Sequence, residues 1–239
     1  GKQNQPHCCV AVLINNITNF PWGKNADTHM KKLLLFAVLL CQFTANAQQK
    51  SDSIKTALLI VDIQNFYFPG DGKPGLVNAE QASLVAKDIL QIFRERNQLI
   101  VHVRHKSNSG FEIHKNVEPL ASEKVITKQK VNSFHGTDLL EFLNKNKITR
   151  LVIIGMQTQM CLEGATRAAS DYGFECIVVS DACATRDLKF GDKTVKAEDV
   201  QTAVLATLTD GHYAKVTDMK GFKENLDNIF SKGNEAKAK

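Results

Sequence analysis

Segments of strand length alternate with segments of helical periodicity along this 239-residue chain, which predicts an α/β fold. Residues 57–61 and 150–155 are continuous apolar runs, as expected for strands that are buried on both faces of a parallel sheet. Residues 78–96 carry apolar side chains at helical spacing. We therefore predict a three-layer, Rossmann-like domain with a mostly parallel sheet and helices on both faces, joined by right-handed crossovers.

The predicted elements follow one another in a regular order. Strands are expected at 57–61, 99–103, 124–127, 150–155, 176–179 and 212–216. Helices are expected at 78–96, 137–145, 161–172 and 198–208. Thr137 is suited to cap the second helix because its hydroxyl can accept a backbone N–H, and Gly173 is suited to end the third. A polar loop is expected at 104–123.

The N-terminal residues predict a segment that is absent from the mature protein. Met30 begins a stretch with two lysines, an apolar run and an Ala-Asn-Ala motif that ends at Ala47, which is the order of a secretory signal peptide. A buried helix is the alternative interpretation. Residues 1–29 are interpreted as an upstream extension without function. The assignment is therefore a signal peptide at 30–47 and a single domain at 48–239, with its core at 54–218.

This assignment predicts export, with a mature chain that begins at Gln48 and resides in the periplasm; cytoplasmic residence is the alternative. The apolar run is too short for a membrane-spanning helix, which needs about 20 residues. A lipid anchor on Cys41 is not expected, because the bulky Leu40 stands where a small residue precedes a lipidated cysteine. The mature protein is therefore expected to have no stable membrane anchor.

Charge, motifs and cysteine content narrow the function. Much of the formal net charge of +5 lies in residues 1–47, and the nearly neutral remainder gives no reason to expect nucleic acid as a partner. Neither a dinucleotide-binding nor a P-loop glycine motif follows the first strand, so no nucleotide cofactor is expected. Cys161, Cys176 and Cys183 remain after residue 47, and an odd count in an exported protein indicates a free thiol.

Three reactive side chains stand where predicted strands end. Asp62 directly follows the first strand, Lys128 follows the third, and Cys161 begins a helix after the fourth. The carboxyl ends of parallel strands meet at one edge of the sheet, where α/β proteins place their ligand sites. A carboxylate, an ammonium and a thiol at this edge form a set suited to nucleophilic catalysis.

Both a catalytic and a structural interpretation of these three residues are open from spacing alone. In the catalytic one, the helix N-terminus and Lys128 favour the thiolate of Cys161, while Asp62 moves a proton. In the structural one, the cysteine is a small core residue, the aspartate belongs to a turn and the lysine is solvated.

Longer segments favour the catalytic interpretation. Residues 58–66 (LLIVDIQNF), 125–139 (VITK to TDL) and 151–161 (LVIIGMQTQMC) resemble the three signatures of the isochorismatase-like cysteine hydrolase superfamily. The resemblance continues through Thr166-Arg-Ala-Ala169 and Val179-Ser-Asp-Ala182 and covers roughly residues 54–218. It implies a hydrolase that uses a cysteine nucleophile.

The resemblance also assigns residues to the site. It implies a triad of Asp62, Lys128 and Cys161, in which Lys128 is chosen over Lys130 by its distance from Phe134. It implies a cis peptide bond between Met156 and Gln157, and an oxyanion hole formed by the backbone N–H groups of Gln157 and Cys161. The residues expected to border the substrate pocket are Gln64, Phe66, His105 and Phe134.

Departures from related families sharpen the expected chemistry. The D-x-H metal motif of nicotinamidases is absent from residues 103–114, which leaves His105 and His114 as isolated histidines, and no metal is expected. Cys161 argues against true isochorismatase activity, since those enzymes usually lack the nucleophile. We therefore expect cleavage of a C–N bond in a small amide through a thioester.

Two further hypotheses remain open from the sequence. One is a catalytically silent small-molecule-binding protein of the same fold. The other is a redox-sensing thiol protein in which Cys161 pairs with Cys176 or Cys183, Cys183 being the more reachable because it is expected in a loop. The resemblance also implies a homo-oligomer. The loops at 66–77, 104–123 and 185–197 contain no recognisable code for the substrate.

Overall fold

The computed structural model describes residues 54–70 and 75–231, so the assigned signal peptide and upstream extension lie outside the described residues. Eight strands are present in this part of the chain: β1 Thr56–Val61, β2 Leu99–His105, β3 Lys124–Lys128, β4 Arg150–Met156, β5 Glu175–Ala184, β6 Leu188–Phe190, β7 Lys193–Val195 and β8 Lys215–Thr217. Six of them form one parallel sheet in the order β3-β2-β1-β4-β5-β8, while β6 and β7 form a separate antiparallel hairpin. The predicted α/β fold is confirmed.

Helices cover both faces of the sheet. They are α1 Ala79–Glu95, α2 Leu139–Lys145, α3 Glu163–Asp171, α4 Ala197–Asp210, α5 Met219–Glu224 and α6 Leu226–Phe230. Leu59 of β1 belongs to the core cluster that contains residues of α2, α3 and α4, and Leu58 belongs to the one with α1, α5 and α6. Successive side chains of a strand point to opposite faces, which explains the continuous apolar run. No helix within the described ranges has the length and apolar character to cross a membrane.

Several elements differ from the sequence predictions. β5 continues to Ala184 through an irregularity in its pairing with β4, so Cys183 is a buried strand residue and its predicted position in a loop is wrong. The hairpin of β6 and β7 was not predicted. The last strand begins at Lys215 rather than at residue 212, because His212 has a positive φ of 57° in the turn after α4.

The two central strands meet closely beside the site. Gly155 of β4 pairs with Val61 of β1 and has a φ of 136°. A Cβ atom at Gly155 would overlap the carbonyl group of Val61. Glycine is therefore required at this point, beside Val61, the last residue of β1, which Asp62 follows.

A charged cluster of Arg94, His102 and Glu123 lies where the chain enters β3. Oε1 of Glu123 accepts a hydrogen bond from Nε of Arg94 in α1 at 2.7 Å. Its Oε2 accepts from the backbone N–H of Leu120 and lies 2.9 Å from Nε2 of His102. Burial alone would raise the pKa of Glu123, but these hydrogen bonds outweigh burial and hold the pKa at about 2. The cluster therefore depends on an ionised carboxylate.

This cluster predicts a loss of stability in acid. The folded-state pKa of Glu123 lies below its ordinary value of 4.5, so its contribution is present above that pH and is lost as pH falls toward 2. We expect Glu123→Gln to lower the free energy of unfolding at pH 7 and to remove part of its decline between pH 5 and pH 3. Urea denaturation across this range measures the effect. Glu118→Gln, at an exposed position, is the control and should keep the wild-type decline.

Candidate active site

The three strand-end residues converge at the carboxyl edge of the sheet. Lys128, the last residue of β3, places Nζ 2.7 Å from Oδ2 of Asp62 and 3.1 Å from Sγ of Cys161. The side chains of Asp62 and Lys128 are fully buried, and Cys161 is 4% exposed. A buried ion pair that also contacts a thiol is costly to desolvate, which favours a functional over a merely structural origin.

The backbone of Asp62 is held in an unusual conformation. Its φ is 51°, in the left-handed region that residues other than glycine rarely adopt. Its N–H donates to the carbonyl of Val103 in β2 at 2.9 Å, so β1 remains tied to its neighbour after its regular part ends. This bond fixes the carboxylate beside the end of β3.

The cysteine lies in a tight turn between β4 and α3. The peptide bond between Met156 and Gln157 is cis, at the position given by the resemblance. Residues Thr158–Leu162 form a π-helical turn, so Cys161 lies inside this turn and does not open the α-helix as predicted. The turn contains both residues of the expected oxyanion hole, Gln157 and Cys161.

Side chains of Thr185, directly after β5, and of Gln201 in α4 support this turn. Gln159 donates to the side-chain oxygen of Gln157 at 2.9 Å, and Thr185 donates to Gln159. Thr158 donates to Gln201 of α4, which in turn donates to the carbonyl of Ser180. The sequence analysis missed this network. Its only sequence signal is a group of polar residues beside apolar segments, which does not identify partners.

The surroundings of Cys161 oppose ionisation of its thiol. Burial and the negative charge of Asp62 raise its pKa to about 12, against the attraction of Lys128 for the thiolate. Lys128 thus acts on the thiol in the direction that the sequence analysis expected, while burial and Asp62 act in the opposite direction. Burial also raises the pKa of Asp62, against the charge of Lys128, which makes its carboxylate a stronger base than an exposed aspartate. The arrangement suits transfer of the thiol proton to Asp62 as the sulfur attacks.

His105 contacts the buried ammonium of Lys128, whereas Gln64 binds only backbone groups. His105, at the end of β2, places Nδ1 3.1 Å from Nζ of Lys128. Gln64 is fully buried and binds backbone instead: it accepts from the N–H of His105 and donates to the carbonyls of His105 and Phe111. The side chain of Gln64 is enclosed and its polar atoms bind backbone groups, while its place at the border of the substrate pocket stays a prediction.

Comparison with known proteins identifies the family. The sequence matches the Isochorismatase domain over residues 56–220, which is more than half of the chain. This chain belongs to the isochorismatase family. It is 42% identical to the isochorismatase family protein YddQ of Bacillus subtilis over 178 residues, covering 70% of this chain and 98% of that protein. An isochorismatase hydrolase structure from Oleispira antarctica superposes with a TM-score of 0.67 at 39% identity, covering 70% of this chain and 95% of the other.

This member of the isochorismatase family also has more distant relatives that are hydrolases by name, one of them an amidohydrolase. The maleamate amidohydrolase of Pseudomonas putida is 27% identical over 187 residues, which cover 62% of this chain and 86% of that enzyme. A streptothricin hydrolase of Streptomyces noursei is 28% identical over 141 residues, covering 55% of each chain. The protein is therefore an isochorismatase-family hydrolase, as the resemblance implied.

The aromatic residues around the centre of this isochorismatase-family protein have separate roles. Phe134 is 6% exposed, belongs to the core cluster that contains Cys161 and packs with Phe174 and Tyr172, and its place at the border of the substrate pocket stays a prediction. Phe66 is partly buried and contacts Tyr67 edge to face, with ring centroids 4.2 Å apart. Burial and the charges of Cys161 and Asp62 raise the pKa of the Tyr67 hydroxyl. The sequence analysis missed Tyr67.

The donor set at the centre suits proton transfer better than a cation. Ligand atoms of Asp62, His105 and Cys161 lie within 4.8 Å of one another, a spacing that could hold a metal ion. However, the ammonium of Lys128 contacts all three of them. A metal cation there would be repelled by the ammonium of Lys128, which already contacts each of the three possible ligand atoms.

Proposed function

We propose that this protein hydrolyses the C–N bond of a small amide through a thioester on Cys161. The observation that carries the proposal is the contact of one buried ammonium, that of Lys128, with both the thiol and the Asp62 carboxylate. The amidohydrolase relatives support the same reaction class. Within residues 54–70 and 75–231, Cys176 and Cys183 are both buried free thiols, which gives the thiol-sensor hypothesis no support.

The first half of the reaction forms the thioester. Asp62 takes the proton of the Cys161 thiol while Sγ attacks the amide carbonyl carbon, and negative charge develops on the carbonyl oxygen. We propose that the backbone N–H groups of Gln157 and Cys161 stabilise that charge. The C–N bond then breaks as Asp62 returns the proton to the leaving nitrogen, which departs as ammonia or an amine.

The second half hydrolyses the thioester. Asp62, ionised again, takes a proton from water as the water oxygen attacks the thioester carbon. The C–S bond breaks, the acid leaves, and the proton returns to the sulfur. Lys128 keeps its charge throughout and holds the base and the nucleophile in contact, so that the two proton transfers use one short path.

Ammonia release from a panel of small amides tests the proposal. We expect turnover of at least one amide, and a loss of about 10³-fold or more in Cys161→Ala, as expected when the nucleophile of a catalytic unit is removed. Cys176→Ala, which removes a buried thiol away from this contact, is the matched control and should keep turnover. Activity in Cys161→Ala at the wild-type level would refute the cysteine mechanism. Absence of turnover across the panel would favour the silent binding protein.

A further inference from the structure

The ammonium of Lys128 contacts His105 in addition to Asp62 and Cys161, the other two residues of the proposed triad. A lysine ammonium has three N–H donors and no acceptor. Three acceptor atoms lie within hydrogen-bond distance of Nζ: Oδ2 of Asp62 at 2.7 Å, Sγ of Cys161 at 3.1 Å and Nδ1 of His105 at 3.1 Å. Asp62 and Cys161 use two of the donors, which leaves the third for the imidazole.

This contact determines the form of the imidazole. Because the ammonium can only donate, Nδ1 of His105 must accept, and a neutral ring that accepts at Nδ1 carries its proton on Nε2. We propose that His105, in this neutral form, is a positioning residue that fixes the direction of the Lys128 ammonium. The inference rests on the proposed function, because the fixed direction matters only if Lys128 holds Asp62 and Cys161 together during the reaction.

Gln64 shows that the position of His105 is itself controlled. Its side-chain oxygen lies 2.6 Å from the backbone N of His105, and its amide nitrogen lies 3.0 Å from the carbonyl oxygen of the same residue. The same nitrogen also donates to Phe111 at 2.7 Å. One buried side chain therefore holds both backbone polar groups of His105 and ties them to the loop that follows β2.

The charges around His105 agree with a neutral ring. The groups that face it are Lys128 from β3, Asp62 after β1 and Cys161 from the turn after β4. Burial lowers the pKa of His105, Lys128 lowers it further, and Asp62 opposes them only in part. Protonation would remove the acceptor and place two cations 3.1 Å apart.

Nitrogen NMR of the full-length protein with ¹⁵N-labelled histidine tests the tautomer without any substrate. We expect the His105 signals to show a bare Nδ1 and a protonated Nε2 at pH 7, and to titrate only below the ordinary imidazole value of 6.5. His105→Gln assigns the signals, and His135→Gln, at an exposed position, is the assignment control. Protonation at Nδ1 at pH 7, or titration of His105 at or above pH 6.5, would overturn the inference.

Kinetics of two variants test the positioning role. His105→Leu leaves one N–H of a buried ammonium without an acceptor, so we expect kcat to fall about 10- to 100-fold, with a smaller change in KM. The side-chain oxygen of His105→Gln can accept the same bond, so this variant should recover a large part of the loss. Equal kcat in His105→Leu and the wild type, or equal losses in both variants, would overturn the role.

The two experiments fail independently of the proposed function. If the wild type hydrolyses no amide, the amidase proposal fails while the NMR result still decides the tautomer. If amides are hydrolysed and Cys161 is required, but His105 is protonated on Nδ1, the amidase proposal stands and the inference about His105 fails.

Discussion

Asp62→Asn is expected to abolish hydrolysis and, at the same time, to make Cys161 more reactive toward a small alkylating agent at neutral pH. The charge of Asp62 helps to raise the pKa of the thiol to about 12, while Lys128 acts in the opposite direction. An amide in place of the carboxylate removes the first effect and keeps the second. The thiol pKa should therefore fall, and the thiolate fraction at pH 7 should rise.

The rate of hydrolysis should fall while the rate of alkylation rises, because Asp62→Asn lacks the carboxylate that acts as the general base. General acid–base catalysis contributes about 10²- to 10⁴-fold, and a loss of this size is expected for Asp62→Asn with any amide that the wild type accepts. A preformed thiolate without a group to protonate the leaving nitrogen cannot replace Asp62. The combination of lower turnover and faster alkylation distinguishes a general base from a residue that only stabilises the fold.

Iodoacetamide labelling measured by mass spectrometry from pH 6 to pH 10 provides the readout. The buried Cys176 and Cys183 are internal standards in the same digest. Asp171→Asn removes an exposed carboxylate and should leave the labelling profile unchanged. Slower or unchanged labelling of Cys161 in Asp62→Asn would show that Asp62 does not control the protonation of the thiol.

Lys128→Met is expected to lower the free energy of unfolding by about 3–5 kcal/mol, because it leaves the fully buried carboxylate of Asp62 without its counter-charge. It should also abolish turnover. The double variant Asp62→Asn with Lys128→Met removes both charges, so much of the stability should return. Activity should not return, since neither the base nor the ammonium is present.

Urea denaturation of the single and double variants measures this prediction. Lys124→Met on the same strand is the control: Lys124 pairs with Asp138 in a partly exposed ion pair, so its loss should cost less than about 1 kcal/mol. If Lys128→Met were as stable as Lys124→Met, the buried pair would not be charged in the folded protein, and the proposed proton transfer to Asp62 would need revision.

The sequence predicted the sheet and the meeting of Asp62, Lys128 and Cys161 for a simple physical reason. Apolar runs of strand length report burial on both faces, and residues directly after parallel strands must share one edge. The predictions of secondary structure failed where strands are irregular or short. β5 continues past an irregular pairing to Ala184, and the hairpin at 188–195 is short and exposed, so neither has a strong hydrophobic pattern.

The sequence by itself thus determined the fold class, the family and the residues that carry the proposed reaction, because these depend on local patterns and on motif residues. Only the tertiary structure decided what each polar group does. It enclosed Gln64 so that its side chain holds the backbone of His105, placed His105 against Lys128, and raised the pKa of the Cys161 thiol by burial. Hydrogen-bond partners and desolvation depend on groups brought together from separate strands, and no spacing along one chain segment records them.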